Sequence, residues 1–186
     1  MEQEEKIIYS RQVVEFVASA NEYGKYLEGI KEINGIEILK VMQRLLPFIY
    51  LRASLLPLLE PLMEEGNEKT VTEFDWTRMH DMLLAKTGNN DPYPVIVDMG
   101  DPADGLYTGS IAESLTDIYQ DLKDFVVNYK TGTDEVMNDA VWEVLMNFEE
   151  FWGKKLLNVL NAIHTVLYSE SDEKEINESA VDDKKV

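Results

Sequence analysis

The chain has 186 residues, the length of one domain, and its 45% hydrophobic and 28% charged residues suit a globular protein that buries its own core. Its 17 Lys and Arg stand against 36 Asp and Glu, a net charge of −19, and a field of that sign repels nucleic-acid phosphates and anionic lipid surfaces. With 0 Cys, disulfides, thiol catalysis and thiolate-bound metals are excluded.

The pattern predicts an all-α protein: residues 1–168 as an up-and-down bundle of about five or six helices with one long irregular loop, and 169–186 as a disordered acidic tail. The opening MEQEEKIIYSRQ is acidic and polar and does not read as a secretory signal. In the first predicted helix, apolar or small residues fall at Tyr9, Val13, Phe16, Ala20, Tyr23, Leu27 and Ile30, in alternating steps of 4 and 3. At 3.6 residues per turn these seven make one stripe. Val14 and Val17 widen it, Gly24 and Gly29 weaken the helix, and Asn34-Gly35 is expected to end it.

The second helix carries Ile38, Met42, Leu45 and Ile49, with Pro47 expected to kink it. Ser54 then reads as the cap of a further helix, with Pro57 in its first turn and Glu64-Glu65-Gly66-Asn67 at its end. This apolar stretch, Leu45–Met63, holds Arg52, Glu60 and three prolines, so it reads as core and not as a membrane span. Thr72 begins the next helix, whose face carries Trp76, Met79 and Leu83 and which stops before Gly88.

Residues 88–109 read as the long loop, with Val95-Ile96-Val97 as a short extended piece. Ser110 and Glu113 form a capping box for a helix striped by Ile111, Leu115, Ile118, Leu122, Phe125 and Tyr129. From Thr133 a helix of more than about 30 residues follows, with Val141, Leu145, Phe148, Trp152, Leu156, Val159, Ile163 and Val166 on one face. Two successive steps of 4 around Trp152, beside Gly153, predict a local unwinding. Its length makes this helix the expected centre of the bundle. From Ser169 the apolar pattern stops, and the tail carries too little apolar surface to fold alone.

Residue patterns that carry chemistry are few. The two histidines, His80 and His164, lack the Glu-x-x-His spacing of di-metal bundles and read as histidines at the core edge. Asp98, Asp101 and Asp104 miss the calcium-loop order and read as turn residues. Phosphate-binding glycine loops and a nucleophile elbow do not occur. Asp117, Asp121 and Asp124 share one helix face, opposite the stripe, and are expected to be solvated. Tyr93 and Tyr107 in the loop, and Tyr50 nearer the apolar segment, are of a type common at contact surfaces and equally at core margins.

The run LLPFIYLRASLLP (Leu45–Pro57), with YSRQVVEFVASANEYGKYLE (Tyr9–Glu28), resembles a bacterial family known as a domain of unknown function. The likeness extends over most of residues 1–168. It implies an all-helical, cytoplasmic protein and carries no functional residue with it.

These readings lead to an expected function without catalysis, metal or cofactor: a cytoplasmic binding protein that recognises a basic protein partner, and neither nucleic acid nor membrane, by charge complementarity. Its expected surface comprises Asp117, Asp121, Asp124, Tyr93 and Tyr107. The rival is an enzyme or small-molecule binder with a pocket between helices covered by the 88–109 loop.

Overall fold

The computed structural model describes the backbone of residues 6–96 and 106–182 and, within these, the side chains of 6–95 and 107–169. The architecture is the predicted helical bundle. In chain order it comprises α1 (Arg11–Glu28), α2 (Gly35–Ala53), α3 (Glu73–Thr87), β1 (Pro92–Ile96), β2 (Leu106–Ser110), α4 (Ile111–Thr131), α5 (Asp134–Asn147) and α6 (Gly153–Asp182).

The stripes decide what is buried. In α1, Val13, Phe16, Ala20, Tyr23 and Leu27 are fully or almost fully shielded, and Ile30 just beyond the helix is too, while Tyr9 lies at the surface. Helix α1 ends at Glu28, earlier than Asn34-Gly35, because the chain tightens into a short turn at Ile30–Glu32 before Asn34 caps α2 by accepting from the Glu37 N–H at 3.0 Å. Helix α2 runs through Pro47 to Ala53. At its first turn Gly35 meets α3 so closely that a Cβ would stand 2.0 Å from the Lys86 carbonyl oxygen. Thr72 and Ser110 cap α3 and α4 as predicted, accepting from the Asp75 and Glu113 amides at 3.2 and 3.0 Å.

The expected long helix from residue 133 is one rod with a flaw in it. Helix α5 passes through a π turn at Phe148–Trp152 directly into α6. The extra residue in that turn is the one that the doubled step of 4 around Trp152 requires. It lets Trp152 reach the core, where its ring stands 6.4 Å from Phe16 and 4.8 Å from Phe148 and its indole N–H donates to the Val144 carbonyl at 3.1 Å. Gly153 permits the turn: a Cβ there would lie 2.3 Å from the Phe148 carbonyl oxygen.

Not every expectation holds. The centre of the bundle is α4, which packs on α1, α3, α5 and α6, and not the longest helix. Within the 88–109 segment, Val95-Ile96 of the expected extended piece belong to β1, which pairs antiparallel with β2, Tyr93 opposite Gly109 and Val95 opposite Tyr107. Asp98, Asp101 and Asp104 lie outside the described residues. The apolar pattern ends with Leu167 against the core, yet the backbone continues as helix to Asp182.

The expected helix after Ser54 is also missing: residues 55–71 form none. Pro61 would remove an interior donor and clash with the preceding turn of the helix that Ser54 was to start, and the chain instead crosses α4 and α5 as an irregular strap. Its amides are taken by side chains. Leu62 and Met63 donate to the two oxygens of Asp139 at 2.7 and 2.9 Å, Asn67 to Glu143 at 2.7 Å, and Thr70 and Val71 to Asp124 at 2.7 and 2.9 Å. Asn138 and Asn128 return the contact by donating to the carbonyls of Glu60 and Glu68 at 2.8 and 3.0 Å. Burial works to raise the pKa of Asp139, but the hydrogen bonds from Asn138, Leu62 and Met63 outweigh it and hold the carboxyl below its usual range.

Asp139→Ala would strand two strap amides. We expect a loss of about 2–4 kcal/mol in urea unfolding, with faster protease cleavage within 55–70.

Candidate functional site: an acidic cleft beside the hairpin

A cleft of about 640 Å³ opens between α4, the hairpin and the π turn. Tyr93, Val95, Thr108 and Gly109 line it from the hairpin, Glu113, Ser114, Asp117, Gln120, Asp121 and Asp124 from α4, and Asn147, Glu150, Phe151, Trp152, Lys154, Lys155 and Asn158 from the rod. Lys69 of the strap completes the lining.

Helix α4 supplies the acids because it is packed on more than one side. Its second face, expected to meet water, is covered by α3, the strap and the rod. Asp117 accepts the Trp76 indole N–H at 2.8 Å and pairs with Lys155, which also stands 3.7 Å from Glu113. Burial opposes the charge on Lys155, yet Asp117 and Glu113 prevail and its pKa is raised. Asp121 accepts from the Asn147 side-chain amide at 3.0 Å. Burial, with Asp124 and Asp117 adding repulsion, pushes its carboxyl up to about 6, against the pull of Asn147 and Lys69.

Asp124 is 4% exposed. One oxygen, Oδ1, takes the Thr70 and Val71 amides and the Thr70 hydroxyl at 2.7 Å, whereas Oδ2 is buried and accepts from no described residue. The expectation of a solvated aspartate row is therefore overturned: all three line the cleft, and Asp124 is among the most deeply buried polar side chains.

Tyr93 also lines the cleft, buried, with its hydroxyl 2.9 Å from Ser114 Oγ. Tyr107 points elsewhere: it is 51% exposed and does not line the cleft. Tyr50 is half-buried and packs edge-on to Phe148 at 5.0 Å. His80 stacks on Trp76 at 5.0 Å and His164 packs on Tyr168 at 4.7 Å. Neither histidine lines the cleft. Among the described residues no three His or carboxylate side chains converge as a metal ion needs.

The sequence reading missed Lys69, Asn147, Glu150, Phe151 and Lys155. Only the doubled step at Trp152 signalled that something unusual occurs there. π turns occur often at functional sites, and this one turns the exposed Phe151 toward the cleft.

An all-helical bundle with one small hairpin and an acidic cleft defines the class. Residues 7–169 match the model of a domain of unknown function, DUF5063, and the chain belongs to that family. It is similar to the crystal structure of protein BF1032 from Bacteroides fragilis, at 33% identity and a TM-score of 0.78, over 88% of this chain and 97% of that one. No curated protein matches. Among the described residues, no helix is long and apolar enough to cross a membrane.

The raised Asp121 carboxyl gives a stability signature. The folded chain holds this proton up to about pH 6 and the unfolded chain only to about 3.8. The contribution is thus present at low pH and lost as pH rises through 6. Asp121→Asn keeps the acceptor for Asn147 and removes the charge. Urea unfolding is expected to show a gain of about 1–2 kcal/mol near pH 8 and little change near pH 4.

Proposed function

We propose that the protein is a non-catalytic, cytoplasmic binding protein whose cleft receives a cationic group from a basic partner. One observation carries the reading: Asp121 and Asp124 are turned into a cleft large enough for a ligand group, and not out toward water. Glu113, Asp117 and Glu150 add negative charge around them, against Lys69, Lys154 and Lys155. Apolar surface from Val95, Phe151 and Trp152 adjoins the acids, the usual composition of a site that orients a ligand with few polar groups. The net charge of −19 would draw a basic partner toward it. A cytoplasmic location accords with 0 Cys.

A second reading, an enzyme, is favoured by the same Asp121. A carboxyl pushed up to about 6 in a cleft suits general acid–base work.

Charge alone would give any basic peptide some affinity, so the test compares places. Calorimetric titration with a lysine-rich peptide at low salt should show binding that weakens with added salt. Asp121→Asn combined with Glu113→Gln should weaken it about tenfold, an effect of about 1.4 kcal/mol. Glu22→Gln with Glu32→Gln, outside the cleft, should change it little. Equal losses from both pairs would refute the cleft as the binding site. Turnover of a substrate library by the wild type, abolished by Asp121→Asn, would favour the enzyme.

A further inference from the structure

Beside the cleft lies a second, much smaller space of about 10 Å³ between α4 and α5. The two share Lys69, Asp121, Asp124 and Asn147, so they adjoin. The small niche has the size of one water molecule. Its polar lining is heavily anionic: Asp121, Asp124 and Glu143 against Lys69.

Asp124 lines this niche, and the strap leaves one of its oxygens over. All three donors that bind Asp124 go to Oδ1, and Oδ2 is buried without a described partner. Buried acceptors are almost always hydrogen-bonded. A carboxylate is acceptor-only, so the missing group is a donor.

We propose that this niche binds a primary ammonium group, hydrogen-bonded to Asp124 Oδ2 and facing Asp121, with the attached alkyl chain lying along Val95 and Phe151 in the cleft. This deepens the reading of the cleft as a site for a cationic group and rests on it. Size and charge select the ligand. An ammonium head is as small as water and donor-only, and its charge offsets the carboxylates. The niche has room for one water-sized head, and a guanidinium or a quaternary ammonium is larger than that. Among the described residues no three ligand side chains converge as a metal would demand. Lys69, exposed at the rim of both spaces, is the chain's own primary amine and competes for the place.

Either a free alkylamine or a lysine side chain of a partner offers this chemistry. Calorimetry on the full chain with n-pentylamine, with N-acetyl-lysine methylamide and with a lysine-rich peptide separates them. Pentylamine binding alone indicates a small amine, and binding of the lysine compounds indicates a protein side chain. The matching arginine compounds and tetramethylammonium should bind at least about tenfold more weakly.

Asp124→Asn retains an oxygen for the Thr70 and Val71 amides and places an NH2 group in the niche. It should abolish amine binding with an unchanged thermal midpoint. If it fails to fold, Ala140→Val, which fills the niche and leaves every carboxylate, should abolish binding instead. Lys69→Met should tighten it severalfold.

Equal binding of lysine and arginine compounds, or amine binding unaffected by Asp124→Asn or Ala140→Val, would overturn the niche and leave the cleft reading standing. A lysine-rich peptide that binds but ignores Asp121→Asn with Glu113→Gln would defeat both. Absence of any amine binding would mean that the niche holds water only.

Discussion

The structure depends on a trade between backbone amides and carboxylates. Residues 55–71 run across the bundle without the hydrogen bonds of a helix or sheet, and a buried amide without a partner is strongly disfavoured. Asp124, Asp139 and Glu143 meet that demand by accepting from five strap amides. Asp139 and Glu143 stand one turn apart on α5, and Asp124 and Asn128 one turn apart on α4, so one face of each helix reads the strap as a ladder. The acids are inside because the strap is irregular, and Pro61 keeps the strap from closing into a helix.

The second constraint is the π turn. A straight helix carrying the same stripe would rotate Trp152 away from Phe16, since two consecutive steps of 4 overshoot the turn. Widening one turn keeps both halves of the rod on the core: Leu145 before it and Leu156 after it are both buried. It also displaces the outer side of the rod, so that Glu150 and Phe151 reach the cleft. Packing thereby shapes the candidate site, although neither residue belongs to the core.

Periodicity made the bundle legible, because stripes such as Val13 to Leu27 and Ile111 to Phe125 express a single physical rule, and the caps at Thr72 and Ser110 express another. The site was less legible for a related reason. A helix with one apolar stripe implies solvent on the other side, and α4 breaks that implication by lying at the centre. Its second face is polar yet covered, and nothing in a single-helix pattern distinguishes a polar face met by water from one met by backbone amides. A partial signal did exist. A proline-bearing segment from Ser54 to Val71 with no periodicity must find partners for its amides, and Asp139 with Glu143 flank the apolar stripe of α5 at the right spacing. The hairpin was obscured in a different way. Pro92 and Pro94 lie on a two-stranded ribbon, where a strand needs only alternate donors, so residues that argue against a central strand are tolerated.

Comparing the three strap acids separates scaffold from surplus. Both oxygens of Asp139 are engaged, Oδ1 by the Leu62 amide and the Asn138 side chain and Oδ2 by the Met63 amide. Holding the strap accounts for that residue completely. Asp124 does the same service with one oxygen and carries a second that the fold does not use. An asparagine carbonyl could also accept the strap amides there, more weakly than an ionised oxygen does. The strap uses one oxygen of Asp124 and leaves the other over. That second oxygen is what the packing leaves over, and it belongs to a residue that lines the cleft together with Asp121.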